Sequence, residues 1–511
     1  MALVIAGRVV PCDQNDPDAV FAGRVFIGDD GTIEHVAKGS GPAPAGFATA
    51  PVIDAGNDFV IPGLIDLHNH IGYNTLPLWA EPTRTTPYMH HDSWPGAPSY
   101  RASITWPSKT LVAAEPEALL AYVQLRALVG GTTAMQGWPT ANREHVQVLR
   151  NIDDETAGGT SRNLIYTSTL TLEPLELAKK AQAQKDGAGF IYHCGEGAAG
   201  SLVQREFIDS ANAGCLGKTF IGIHCNSVMP ADWQRWAKDD AGAVVWSPFS
   251  NLWLYGSTTD IAAARRQKVA ICLGSDWGPS GTKNVQGEIK VAKIAGKKLA
   301  LGLTDRDLVA MITSNPGDVL ARCWKRQIGR LTKDAFGDVT ILRAKGTKPV
   351  WTQIVESTEA DIVLVVVGGV PRYGDPQPMQ ATAEPSSKFK LAGKDRRIAI
   401  RNPDDPGKPW KFSEITGLLK AVIKDPKTAI NKAEARLRAY AGPMSAPDAP
   451  LLLALDMPTG TAAFAGSLKD HADEIVVPPL SSLVHDAQFF AEVGKKGFHG
   501  GLLDGLKEFY L

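Results

Sequence analysis

Cysteine is scarce in this sequence. The six residues, Cys12, Cys194, Cys215, Cys225, Cys272 and Cys323, are scattered over 511 positions with no C-x-x-C pair. That argues against a disulfide framework and for a reducing cytoplasm. An excess of charge of one sign is missing too: Lys and Arg total 53 against 54 Asp and Glu. No long basic surface for nucleic acid is therefore expected. No apolar run approaches the roughly eighteen residues of a membrane span. The opening Met-Ala-Leu-Val-Ile-Ala-Gly-Arg lacks a basic leader and reads as a strand, not a signal peptide. Repeats and low-complexity tracts are also absent. What remains is a globular chain of ordinary composition, too long for one small core, with two or three domains expected.

Residues 1–58 read as short strands, over 3–10, 20–27 and 32–37, with a turn at Asp29-Asp30-Gly31. From Phe59 the pattern becomes short apolar strands alternating with helices. Strands are expected at 60–67, 132–135, 163–168, 190–193, 218–224, 244–247 and 269–274. Helices are expected at 117–129, 173–183, 202–213, 231–238 and 259–266. Such sustained alternation implies a parallel sheet and, closed into a ring, an α/β barrel of the (β/α)8 or TIM type. The count is one strand short. Either a short irregular strand lies near 169–175 or the barrel is distorted there. After Asp338 a β pattern returns at 339–343 and 361–367, so both chain ends are expected to share a small β-sandwich. The division that follows is 1–58 with 338–375 as sandwich, 59–337 as barrel, and 376–511 as a C-terminal α/β extension. In the extension, 384–387 and 402–411 look like linker, 411–431 and 432–440 helical, and 451–455 a strand.

Chemistry concentrates at strand ends. In Ile61-Pro62-Gly63-Leu64-Ile65-Asp66-Leu67-His68-Asn69-His70, His68 and His70 are two apart, so a strand projects both to one face. Barrel active sites sit at the C-terminal ends of their strands, and two imidazoles there are half a site for Zn²⁺ or Fe²⁺. A bare H-x-H is weak evidence alone, but His193, His224 and Asp276 each end another apolar strand. Glu196 stands three residues after His193, and Gly195 and Gly197 allow the chain to bend it back toward the mouth. His90, His91, Trp79, Trp94, Tyr100 and Trp106 fall in the long segment after the first barrel strand, which either lids the site or packs on itself. Trp277 either walls the pocket or packs. Strand alternation turns Cys194 and Cys225 into the core. No role is assigned to His471, His485 or His499.

Over roughly residues 1–375 the chain resembles the amidohydrolase superfamily, in particular its deaminase and chlorohydrolase branch. The resemblance rests on Pro-Gly-Leu-Ile-Asp-Leu-His-Asn-His, Gly131-Thr132-Thr133, His193-x-x-Glu196, His224, Ser247-Pro248-Phe249-Ser250-Asn251, Leu273-Gly274-Ser275-Asp276 and Asn315-Pro316-Gly317. It implies hydrolysis of a C–N bond, by deamination or amide cleavage, in a small polar and heterocyclic substrate. The alternatives it leaves are chlorohydrolase-type displacement on a ring and a non-catalytic scaffold. His68, His70, His193 and Asp276 would hold one divalent metal, zinc first, with iron and manganese as alternatives. Asp276 would also take a proton from water, Glu196 would shuttle protons, and His224 would polarise the water or the substrate. Two-metal relatives add a carboxylated lysine or a glutamate on the fourth strand. Here Lys179, Lys180 and Lys185 fall in a helix, so one metal is expected. The expected partner is a small-molecule substrate, with neither nucleic acid nor membrane, in a homo-oligomer.

Overall fold

The computed structural model describes residues 2–137, 146–153, 164–169, 171–238, 241–439 and 468–511. The strand expected at 451–455 lies outside them, as do residues 163 and 440 at the ends of two other expected elements. The N-terminal strands form as read: β1 (Leu3–Val9), β2 (Phe21–Ile27) and β3 (Ile33–Lys38). The apolar run at 60–67, however, is not one strand. β4 (Val52–Pro62) and β5 (Leu64–Asp66) belong to different sheets, and Gly63 is the corner between them. Its N–H donates to Asp338 O at 2.9 Å, and a Cβ there would meet Thr133 Oγ1 at 2.2 Å. Only glycine fits so close an approach.

Strands and helices then alternate. β6 (Thr132–Met135), β7 (Arg150–Asn151), β8 (Ile165–Ser168), β9 (Gly189–Cys194), β10 (Phe220–His224), β11 (Ala243–Trp246) and β12 (Ala270–Leu273) follow β5. All pair in parallel, in a three-stranded sheet β5–β6–β7 and a five-stranded sheet β8–β9–β10–β11–β12. The strand missing from the sequence count is β7, not a strand near 169–175. It is two residues long, pairing with Ala134 and Met135, and so leaves no apolar run to read. The first and last strands of the series also meet. Asn69 and Asp276 form a parallel bridge, with Asp276 N donating to His68 O at 3.0 Å and His70 N to Asp276 O at 2.9 Å. β9, β10 and β11 are buried along their whole length, as strands covered on both faces must be. Helix Pro116–Val129 starts with Pro116 and stops at Gly130, as its sequence predicts.

β13 (Val339–Leu342), β14 (Ile362–Val367), β15 (Val370–Gly374), β16 (Ser387–Leu391) and β17 (Lys394–Ile398) join the N-terminal strands. The result is one nine-stranded sheet in the order β16–β17–β15–β14–β13–β4–β1–β2–β3. It continues past residue 375, so a boundary there cuts through it. In the extension two helices form, Phe412–Lys424 and Pro426–Ala439, with the break at Asp425 and not between the expected segments 411–431 and 432–440. Pro426 has no N–H for the first helix and opens the second. They pack on helices Pro116–Val129 and Trp106–Ala114. Residues 468–511 return to the segment after β5 and to helices Pro116–Val129 and Pro248–Tyr255: Ser481 N donates to Thr75 O at 2.8 Å, Tyr122 Oη to Ser481 O at 2.6 Å, and Phe498 N to Trp253 O at 3.1 Å. No helix of the described residues is long and apolar enough to cross a membrane.

Candidate metal centre

Five side chains from four strand ends converge. His68 and His70 follow β5, His193 lies in β9, His224 ends β10 and Asp276 follows β12, and all five are buried. His68 Nε2 lies 3.1 Å and His70 Nε2 3.7 Å from Asp276 Oδ1. His70 Nε2 stands 3.2 Å from His193 Nε2. The donor atoms of His68, His70 and Asp276 lie within 4.8 Å of one another, and so do those of His68, His193 and His224. The sequence set His224 apart from the ligands, but its ring nitrogen also lies within 4.8 Å of those of His68 and His193. His224 (φ 64°) and Asp276 (φ 62°) both take left-handed backbone. For a non-glycine residue that costs about 1–2 kcal/mol, and such strain gathers at functional sites.

The outer contacts turn these rings inward. Ser168 O can only accept, so His193 Nδ1–H donates to it at 3.3 Å and Nε2 faces the cluster. His224 Nδ1–H donates to Asn251 Oδ1 at 2.9 Å, and Asn251 Nδ2 donates to Thr259 Oγ1 at 3.2 Å, which fixes the amide's orientation. Asp66 accepts from Ser275 N at 3.0 Å, from Ser275 Oγ and from Asn69 Nδ2 at 3.2 Å, tying β5 to the turn that carries Asp276. Burial pushes the Asp66 carboxyl up to about 6. Such partners orient ligands and tune their basicity.

Burial, with His68 nearby, pushes His70 down to about 3 and His193 well below its ordinary value, so both rings are neutral. Burial works against the charge on Asp276, yet His68 beside it holds the carboxyl well below the usual carboxylate range. Both ring nitrogens of His68 lack a hydrogen bond, its Nε2 lying near Asp276 but outside bonding angles. Buried, convergent and unsatisfied nitrogen and oxygen donors of this kind are what a divalent cation satisfies. The residues fit a metal.

Glu196 reaches the same place. Gly195 bends the chain (φ 65°), and a Cβ on it would meet Ser227 Oγ at 2.6 Å. Glu196 is buried, with Oε1 3.7 Å from His224 Nε2. Two partners went unrecognised in the sequence. Tyr255 Oη donates to Glu196 Oε1 at 2.6 Å. Glu206 accepts from Gly195 N at 2.8 Å, from Thr171 Oγ1 at 2.6 Å and from His91 Nε2 at 3.0 Å, so it holds the bend. A signal for Tyr255 was available: it lies four residues after Asn251 on helix Pro248–Tyr255, hence on the same face. For Glu206 there was none.

The segment after β5 covers this side. His90 bridges Gly197, His91 N donates to Glu196 O at 3.0 Å and Ala198 N to Met89 O at 2.7 Å. Trp94, Tyr100 and Trp277 gather beside His70, with Trp94 and Trp277 centroids 5.3 Å apart and Trp277 6.5 Å from His70. Trp79 packs against Tyr88 and Tyr100, while Trp106 stacks on His471 of the extension, away from this group. Cys194 and Cys225 are core residues, as expected. His485 pairs with Glu359 at 2.8 Å, and His499 Nε2 bonds Val493 O at 3.1 Å. Lys179, Lys180 and Lys185 lie on helix Pro174–Lys185, where Lys179 pairs with Glu176 and Lys180 covers Tyr166.

No family model matches the chain. A 5-methylthioadenosine/S-adenosylhomocysteine deaminase from Clostridium tetani is 20% identical over 373 residues, covering 67% of this chain and 85% of that protein. A zinc-bound adenosine deaminase from Xanthomonas campestris superposes with a TM-score of 0.55 at 16% identity, covering 72% of this chain and 92% of the other. An atrazine chlorohydrolase from Arthrobacter aurescens TC1, complexed with zinc and atraton, gives 0.56 at 15% identity, covering 72% and 94%. These similarities indicate the deaminase and chlorohydrolase branch of the amidohydrolase superfamily.

Proposed function

We propose that this chain is an amidohydrolase that hydrolyses a C–N bond in a small nitrogen heterocycle and releases ammonia, using one divalent cation. The carrying observation is the convergence of four histidines and Asp276 beside a buried, hydrogen-bonded Glu196. His68, His70, His193 and Asp276 would hold the ion. Zinc is the first candidate, supported by the zinc in both solved relatives, with iron and manganese suiting the same donors. Such an ion, when bound, lowers the pKa of a water and polarises the bond under attack. Asp276 then accepts a proton from the water, and Glu196 carries protons to the substrate's ring and to the departing amine. His224 has Nδ1–H committed to Asn251, so Nε2 is the atom that accepts a proton from, or returns it to, the reacting group. The ring cluster of Trp94, Tyr100 and Trp277 suits a flat substrate.

The name of the Clostridium tetani relative makes adenine nucleosides the first class to test. The chlorohydrolase relative keeps displacement of chloride from a triazine as the second reading. The full donor set argues against a non-catalytic scaffold. The test is metal analysis of the purified protein followed by ammonia and chloride release from 5-methylthioadenosine, S-adenosylhomocysteine, adenosine, guanine and chlorotriazines. Protein that binds no divalent metal after reconstitution and turns over none of these would sink the proposal.

We further infer that the eight parallel strands close as one barrel over 59–337. The strands of 1–58 and 338–375 would form the small sandwich, to whose edge the appended extension, 376–511, adds β16 and β17. A homo-oligomer acting in the reducing cytoplasm is the expected form, and sedimentation would read its assembly.

A further inference from the structure

The hydrogen bonds around Glu196 assign a role to a residue outside the motif set. Tyr255 is buried at the end of helix Pro248–Tyr255, and its hydroxyl has two partners. Trp94 Nε1 lies 3.0 Å from the oxygen, and Glu196 Oε1 lies 2.6 Å from it. An indole N–H can only donate. The tyrosine oxygen must therefore accept from Trp94, and its single proton must point at Glu196. That fixes Oε1 as an acceptor, the same oxygen that stands 3.7 Å from His224 Nε2, and leaves Oε2 as the atom free to handle a substrate's proton. Burial, with Glu196 next in importance, holds the Tyr255 phenol well above its ordinary range, in keeping with a donor that keeps its proton.

Trp94 is not part of the barrel strands. It belongs to the segment after β5, where its ring packs on Trp277 and Tyr100. A second clamp joins the same segment to the Glu196 turn through His91 N and Glu196 O at 3.0 Å. We propose that Tyr255 is the positioning residue of Glu196, and that Trp94 makes this positioning depend on the covering segment being closed. Carboxylate geometry and lid closure are then one event: with the segment displaced, the tyrosine hydroxyl loses the donor that orients it. The inference rests on the reading of Glu196 as the proton-carrying group.

Two measurements on the metal-loaded, full-length protein test it. The first is the indole ¹H–¹⁵N signal of Trp94, identified by its loss in Trp94→Phe. Trp94 donates to Tyr255, not to Glu196, so Glu196→Gln should move the signal only through the tyrosine. A shift in the parent background, lost in the Tyr255→Phe background, is expected. An unmoved Trp94 signal in Glu196→Gln overturns the chain. The second is turnover of 5-methylthioadenosine. Tyr255→Phe should lower kcat about tenfold to hundredfold, part of the hundred- to ten-thousand-fold that acid–base groups supply, with KM changed less than about threefold and metal retained. Adding Tyr255→Phe to Glu196→Gln should cost under about threefold more, because residues acting as one unit are not additive. An equal loss in both backgrounds overturns positioning through Glu196. A Glu196→Gln enzyme with parental turnover overturns the role of Glu196 itself. An impaired Glu196→Gln beside a fully active Tyr255→Phe overturns this inference alone.

Discussion

At the scale of single residues, the centre divides into atoms that would hold the ion and atoms that would move protons. His68→Ala and His70→Ala each open a coordination position in a buried set, so each should lose most of its metal. Full metal content in both variants, read by elemental analysis, would remove them from the ligand set. Asp276→Asn keeps an oxygen but loses the charge and the base, so metal affinity and turnover should fall together. His224→Asn separates two readings, because His224 forms one of the two close triads with His68 and His193 yet has no contact with Asp276 as short as that of His68. Retained metal with collapsed turnover is expected. Loss as complete as that of His68→Ala would make His224 a ligand and set aside the single-ion arrangement. Glu196→Gln should keep both metal and fold and lose on the order of a hundredfold or more in turnover, as general acid–base groups typically contribute.

At the scale of elements, what the sequence disclosed followed from periodicity and what it concealed followed from geometry. β9 and β10 were legible because Phe190-Ile191-Tyr192 and Phe220-Ile221-Gly222-Ile223 are unbroken apolar runs bounded by turns. β7 was not, since two residues carry no period. The corner at Gly63 was hidden inside an apolar run, because burial on both sides of a bend reads the same as burial along a strand. The histidines that cluster here were legible from their place at strand ends. Glu206 was not, because nothing local marks a helical glutamate whose partners lie on other elements. The Gly195 bend gives this scale its prediction. Gly195→Ala forces a side chain into left-handed backbone and against Ser227 Oγ. It should lower stability by about 1–2 kcal/mol and turnover about tenfold while leaving the metal bound. Melting and metal analysis check it, and parental values throughout would show that the bend does not position Glu196.

At the scale of the whole molecule, the extension is bound into the rest of the chain. Ile475, Val477, Leu483, Phe489, Val493, Leu503 and Leu506 are buried there, and Lys283 Nζ donates to Ser481 Oγ at 2.7 Å. Burying that many apolar side chains is worth about 10–20 kcal/mol as an upper bound, as large as the net stability of a typical domain. A chain ending at residue 467 should therefore be insoluble or fail to melt cooperatively, as solubility and circular dichroism would report. A soluble truncated protein with the parent's transition would contradict this. The nine-stranded sheet has a consequence for synthesis. The edge of β4 that ends at Pro62 pairs with β13, beginning at Val339, so strands made early on the ribosome wait for a partner made late. At about 5–20 residues per second that wait lasts tens of seconds. Throughout it, an apolar strand edge stands open to neighbouring nascent chains. Chaperone supply and translation rate, more than the strength of the finished sheet, should then set how much of this protein a cell recovers folded.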